Sequence, residues 1–345
     1  MKIKCLLCFP FVLAALILQS CQPFPQEVTR GMYYWKSNES SLSLEERQLL
    51  SELSIKKLYV KFFEVEAHPA FVTQPISKTQ LLAPDLSLEV VPTVFIHNEA
   101  LQGLNEEDVD SLAANILFLC SRYYKKSFDQ ARSSFSEIQL DCDWTPSTRD
   151  TYFRLIRSLK QRSGKQISCT LRLYPYKYQD QMGVPPADRA MLMCYSLTNP
   201  LAEESVNSIQ DNQRLEAYLH PAQTYPLPLD IALPLFSWAL WYQNNQFSGI
   251  LRVNPEGIQA VSALIRPMWY EVQQDTMIGE SFLRRGDKIK LEEVSEKETL
   301  NTLELIKKYV HFSPVTTVSL FHLDTQSANA YESEMLDQYF TALQQ

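Results

Sequence analysis

The sequence predicts an α/β fold, a (β/α)8 TIM-like barrel with a small insertion before the last strand. Three observations point there. Eight short apolar runs rich in β-branched and aromatic residues recur along the chain, and several are near-continuously apolar, as strands covered on both faces must be. Stretches with helix-terminus signals separate most of them, and crossovers of that kind are what parallel neighbours require. The 345 residues are ample for one large α/β domain or two small ones, and composition does not shift sharply enough to force a split. A doubly wound open sheet is the alternative, but no Gly-rich phosphate turn follows an early strand.

The chain begins with a segment unlike the rest. Lys2 and Lys4 precede Cys5 to Leu18, a run of 14 residues almost without a polar group, which is the pattern of a secretory signal. The run carries Pro10 and falls short of the roughly 18 to 20 residues that a spanning helix needs. Residues 1–20 are therefore expected to be removed. Gln22 to Glu27 holds two prolines and reads as part of a short tether over 21–28, ahead of a barrel over 29–345.

The elements follow in order. The first run is Gly31 to Trp35, after which Ser43 and Glu46 form a capping box ahead of Leu49, Leu50 and Leu53. Lys57 to Val65 and Glu89 to His97 are the second and third runs. Asn105 then caps a helix whose Val109, Leu112, Ala113, Ile116, Leu117 and Cys120 share one stripe. The fourth run, Glu137 to Trp144, leads to a helix opened by Ser147 and Asp150, with Tyr152, Leu155, Ile156 and Leu159 on one face and Gly164 at its end. Gln166 to Tyr174, Ala190 to Ser196 and Asp230 to Trp238 are the next three. Some connections are too short for a full helix, whereas 243–312 is far too long for one loop and predicts an inserted subdomain. Thr316 to Asp324 is the last run, and Leu336, Tyr339, Phe340 and Leu343 form a closing helical stripe.

Losing Lys2 and Lys4 and no acid takes the formal charge from −8 to −10. Against that background no basic stripe stands out, which speaks against nucleic acid as a partner. Cys120, Cys142, Cys169 and Cys194 are widely spaced in apolar surroundings, without a C-x-x-C pattern, and read as small buried hydrophobes. Export permits a disulfide, but the spacing does not suggest one. No H-E-x-x-H or G-x-S-x-G sequence occurs, and no metal or cofactor is implied.

In a barrel of this kind the active face lies at the carboxyl ends of the strands. The residues there are Trp35, Glu64 and Glu66, His97, Asp141 with Asp143 and Trp144, Arg172 with Tyr174, Tyr195, Ser237 with Trp238, and His322 with Asp324. Flat apolar sugar faces stack on indole and phenol rings, sugar hydroxyls need charged partners, and glycosidic cleavage needs two carboxyls at a set separation. The densest cluster is Asp141-Cys142-Asp143-Trp144, where strand alternation sends both aspartates to one side. Two like charges that close raise one pKa and suit proton transfer. Alternatively the two aspartates bond loop amides, cap the next helix or pair with Arg172. His97 and His322 close strands and could be ligands, but two histidines alone do not make a zinc site and the core reading is favoured; Trp238, Trp241 and Tyr242 read as a sugar platform or as cover for the seventh strand.

The segment Leu18-Gln19-Ser20-Cys21 resembles the lipobox of bacterial lipoproteins, which implies diacylation of the Cys21 thiol and cleavage before it. With Gln22 next, the resemblance implies sorting to the outer membrane. Asp141 and Asp143 resemble the second and third aspartates of the D-x-x-D-x-D-x-E pattern that ends the fourth strand of chitinase-like family 18 glycoside hydrolases. The first aspartate falls on Ile138 and the catalytic glutamate on Thr145. Asp188 to Ser196 and Ile231 to Trp238 are similar to that family's sixth and seventh strands, and the whole run from 31 to 325 resembles bacterial lipoproteins with a glycosidase-like barrel. A threonine hydroxyl cannot protonate a glycosidic oxygen near neutral pH, so the family's mechanism does not transfer intact.

The expectation is a monomeric, lipid-anchored protein of the cell envelope whose barrel mouth binds a polysaccharide or peptidoglycan-type glycan. If it hydrolyses, Asp143 is the leading acid, with Asp141, Glu64, Glu66 and Asp324 as partners. The rival expectation is a non-catalytic lipoprotein that uses the same mouth to hold a glycan or a protein.

Overall fold

The structure is a computed structural model that describes residues 25–128, 134–201, 206–251 and 255–344. The expected signal peptide and the Cys21 anchor lie outside the described residues. Eight parallel strands close into a barrel: β1 (Glu27–Tyr34), β2 (Lys57–His68), β3 (Glu89–Ile96), β4 (Glu137–Asp141), β5 (Gln166–Leu171), β6 (Arg189–Met193), β7 (Leu229–Pro234) and β8 (Val315–Phe321). Each pairs with its neighbour in chain order, and β1 closes the ring by pairing with both β8 and β2. The fold is thus the predicted (β/α)8 barrel.

All eight predicted runs fall on these strands. The main differences are β1, which starts at Glu27 instead of Gly31, β2, which runs on to His68, and the last five runs, whose final three or four residues lie beyond the strand ends. Those residues leave the barrel ladder, most as loops, whereas Leu173 and Tyr174 begin the helix Leu173–Lys177 and Trp238 opens a strand of the inserted sheet. An antiparallel strand, Val72–Ile76, folds back on the end of β2, so no helix stands between β2 and β3 among the described residues.

The helices form where their caps predict. In α1 (Leu44–Glu52), Ser43 and Glu46 make both bonds of the capping box. In α2 (Glu106–Phe128), the Asp108 amide donates to Asn105 Oδ1 at 3.0 Å, and Val109, Leu112, Ala113, Ile116 and Cys120 are buried. α3 (Arg149–Ser163) has Thr148 at its N-cap, one residue later than Ser147 implied, and stops at Gly164, whose φ of 62° is left-handed and favours glycine. The apolar stripes of these helices and the outward faces of the strands make one core that also takes in Cys120, Cys142, Cys169 and Cys194. All four cysteines are free and buried.

Alternation sends every second strand residue inward, and the barrel interior is unusually polar. Its amino-terminal end is plugged by ions: Lys57 Nζ sits 2.8 Å from Glu137, and Arg189 holds Asp230 through two bonds of 2.6 Å. Asp230 also accepts from the Thr317 amide at 2.6 Å. Above this plug Tyr33 stacks on Tyr59 and donates to Gln139 Oε1 at 2.8 Å. Buried charges persist only when paired and bonded in this way, so the plug closes one end of the barrel and leaves the other as the mouth.

The inserted segment forms a separate antiparallel sheet. Its strands lie in the order Gln246–Leu251, Trp238–Gln243, Lys288–Glu292, Trp269–Val272 and Ser262–Arg266, over a small core of Ala239, Leu251, Ile258, Val272, Ile289 and Leu291. The helix Glu296–Tyr309, which the sequence grouped with this segment, packs its Leu303, Ile306 and Tyr309 into the barrel core. Lys290 and Glu292 are fully buried together at 2.5 Å.

Closure at β1 depends on Gly31. A Cβ there would meet Ser319 Oγ at 2.2 Å and Thr317 Cγ2 at 3.1 Å, both on β8. Gly31→Ala is expected to lower stability by about 1 to 3 kcal/mol through overpacking. Adding Ser319→Gly should return part of it, and urea unfolding of the single and double variants checks both; an unchanged midpoint for Gly31→Ala would show that the β1–β8 spacing is not limiting.

Candidate functional site

A cavity of about 850 Å³ opens at the carboxyl ends of the strands. Its walls are aromatic: Trp35 after β1, Phe95 in β3, Tyr195 after β6, Phe236 and Trp238 after β7, and Phe321 at the end of β8. These rings support one another, with Tyr195 and Phe321 stacked at 5.5 Å, Phe236 edge-on to Trp238 at 5.4 Å and Trp35 tilted on Phe321 at 5.5 Å. Offset and edge-to-face contacts of this sort fix ring orientation. Trp238 is held further by its Nε1, which donates to Glu292 Oε2 at 2.6 Å. The inserted sheet adds Ile250 and Leu251 to the same wall.

Charged groups occupy the floor and rim. Asp141 ends β4 pointing inward, accepts from Thr170 Oγ1 at 2.7 Å and is 9% exposed. Burial pushes its carboxyl up to about 6; the Thr170 bond opposes this and the charge of Asp143 adds to it. The predicted clash of two carboxylates is therefore present but is not the main cause. Asp143 is 59% exposed and pairs with Arg172 Nε at 3.2 Å, the arrangement that sequence left as the structural alternative. At β8, burial holds His322 below the ordinary imidazole range against the opposing charge of Asp324 at 3.5 Å. Asp324 also accepts from the Ser327 amide at 2.6 Å and so caps the helix Thr325–Ala330.

Of the residues predicted for the site, Trp35, Asp141, Asp143, Arg172, Tyr195, Trp238, His322 and Asp324 line this cavity. The other five do not. Glu64 is bound to Lys61 Nζ at 2.5 Å and faces His97 Nε2 at 3.2 Å. Burial works against its charge, but the bond and charge of Lys61, with help from His97 and Ser77, outweigh this and hold Glu64 below the ordinary carboxylate range. An ionised, paired carboxylate is a poor proton donor. Glu66 is bound by Gln74 on the folded-back strand, and Tyr174 lies against Tyr178 at 4.6 Å, both rings exposed.

Trp144 is a correction to the predicted ring of mouth residues. The β4 ladder stops at Asp141, so alternation no longer governs the residues beyond it; Trp144 is 3% exposed, stacks on Tyr152 of α3 and donates to the Met182 carbonyl at 3.1 Å. It packs the helix layer. Thr145, at the position of the family glutamate, bonds Ser147 Oγ at 2.9 Å and Thr148 Oγ1 at 3.2 Å, which ties the loop to the start of α3. Among the lining residues that sequence missed are Lys61, Phe95, Phe236 and Phe321. Lys61 was findable as a lone cation inside an apolar strand, Leu58-Tyr59-Val60-Lys61-Phe62-Phe63. Among the described residues no group of three or more histidine, cysteine or acidic side chains is placed to hold a metal ion.

No protein-family model matches the chain, and no curated protein matches it by sequence. Solved structures match it in fold. The spore cortex-lytic enzyme SleL of Bacillus megaterium QM B1551 is 13% identical with a TM-score of 0.52, over 91% of this chain and 75% of that one. The chitinase Chi1 of the Yersinia entomophaga toxin complex is 11% identical with a TM-score of 0.52, over 92% of this chain and 85% of that one. At these identities the likeness is one of fold alone: the chain shares a (β/α)8 barrel with these two enzymes.

The Asp141 environment has a measurable consequence. A folded pKa of about 6 against an ordinary 3.8 means that the native state binds this proton more tightly than the unfolded chain, so stability falls as pH rises between those values. Asp141→Asn keeps an acceptor for Thr170 and removes the charge. The variant is expected to gain up to ~3 kcal/mol on wild type at pH 8 and to lose that advantage by pH 4. Urea unfolding at both pH values checks it, and a gain of equal size at both would show that the carboxyl does not titrate in this window.

Proposed function

We propose that this protein is a lipid-anchored envelope protein whose barrel mouth binds a glycan. The observation that carries the binding reading is the cavity at the carboxyl ends of the strands, where aromatic faces surround fixed carboxyl, guanidinium and ammonium groups. A sugar ring offers an apolar face to the first and hydroxyls to the second. The glycoside-hydrolase-like fold supports it, since barrels of this class use that end for their ligands. The anchoring reading is supported by the charged start, the apolar run and Cys21 in the sequence, and among the described residues no helix is long and apolar enough to cross a membrane. A polysaccharide or peptidoglycan-type glycan is the class that such a location brings within reach.

One observation favours hydrolysis as a second reading. Asp141 is pushed up to about 6 beside Asp143, a range in which a carboxyl both holds and releases a proton at neutral pH. Against it, Thr145 provides no acid where the family glutamate falls and Asp143 is tied to Arg172, so binding without turnover is the better supported of the two.

The test is a glycan panel containing chitohexaose and purified peptidoglycan, applied to the full chain in detergent and read for affinity and for new reducing ends. Binding is expected, with Trp35→Ala weakening it about tenfold, the equivalent of ~1.4 kcal/mol. Reducing ends that vanish in Asp141→Asn would establish the second reading, and no binding across the panel would remove the first. Separately, Cys21→Ser is expected to abolish labelling by radioactive palmitate and to move the protein from the membrane pellet to the supernatant; a variant that stays in the pellet would overturn the anchor.

A further inference from the structure

β2 carries an irregularity at the mouth. Lys61 pairs with Thr93 and Phe63 with Val94, so Phe62 is an extra residue in the strand. Strict alternation would put Lys61 and Glu64 on opposite faces, because they are an odd number of residues apart. The bulge changes that parity. Phe62 and Phe63 are both fully buried on the outside, against Phe128 and Tyr123 of α2, while Lys61 and Glu64 meet on the inside. Bulges beside barrel rims re-aim side chains in this way.

The result is a lysine that lines the cavity while only 6% exposed. Its ammonium lies 5.5 Å from the Trp35 ring centroid and is bound by Glu64. An ammonium has three donors, and Glu64 takes one; no other acceptor meets Lys61 among the described residues. On the same lining, Tyr195 is 5% exposed and its buried hydroxyl has no hydrogen-bond partner among the described residues. Buried donors without acceptors are costly, and a native structure keeps them where something else completes them. Glu64 is in turn held by His97.

We infer that Lys61 is a ligand-contacting residue at the floor of the mouth, donating to the acceptor oxygens of a sugar ring seated against Trp35, and that Glu64 and His97 are positioning residues that aim it. This rests on the mouth being the glycan site. It assigns Glu64 the task of orienting a donor, and it sets the ligand class as one presenting ring, hydroxyl or acyl oxygens at its innermost unit.

The experiment is calorimetric titration of the full chain in detergent with chitohexaose and with solubilised peptidoglycan fragments, beside circular dichroism of each variant. Lys61→Met is expected to weaken binding at least tenfold, Glu64→Gln about threefold, and Lys61→Arg less than Lys61→Met. The double variant Lys61→Met, Glu64→Gln removes both charges at once, so it keeps the fold neutral at that point and should bind as poorly as Lys61→Met. If wild type binds, Trp35→Ala weakens binding and the folded double variant binds within twofold of wild type, the role of Lys61 is overturned while the mouth stands. If wild type binds neither probe, the glycan reading fails and this inference falls with it.

Discussion

Everything at the mouth depends on closure of the ring by β1, which must touch two strands from opposite ends of the chain. Its first six residues lie in register with Val315 to Leu320, and its last four with Lys57 to Val60. A parallel pair needs its backbones within about 5 Å, and Gly31 opposite Ser319 is where a side chain on β1 would intrude. Once the ring is closed, eight strand ends share one rim, and residues as distant in sequence as Trp35 and Asp324 line a single cavity. An open sheet carrying the same side chains would spread them along an edge.

The interior chemistry follows from that geometry. The ion pairs of the plug satisfy their own bonds far from the mouth, so they set the barrel without taking part in the cavity. At the other end nearly every charge is answered locally: Lys61 by Glu64, Arg172 by Asp143, and Lys36 by the buried Glu46 at 2.6 Å. Asp141 has a hydroxyl donor in place of a cation, which is why burial dominates its titration. The mouth therefore combines immobile paired ions with one carboxyl whose charge state responds to pH near neutrality.

The strands are legible because both of their faces are covered, which leaves a continuous apolar signal, and the helices because their caps and stripes are local. The illegible part depends on where pairing stops. Trp144 reads as a mouth residue only if β4 runs that far; the ladder ends at Asp141 and the indole turns outward onto Tyr152. Glu64 reads as a catalytic partner when strand-end carboxylates are weighed singly, and its partner Lys61 sits three residues earlier across a bulge that no periodicity reveals. The insertion is legible by length alone. Its pattern of short antiparallel strands, and the return of Glu296–Tyr309 to the barrel core, depend on contacts made far away in the chain.

The bond from Trp238 to Glu292 lies inside the inserted sheet, where the two residues face each other on adjacent strands. The indole opens the strand Trp238–Gln243 four residues after β7 ends, and Lys290 and Ser208 also hold the carboxylate. Aperture and acidity are consequently encoded apart: the width of the entrance answers to how the second sheet packs, whereas proton affinity answers to β4 and β5. Reshaping the inserted sheet would therefore change the entrance and leave the ionisable floor as it is.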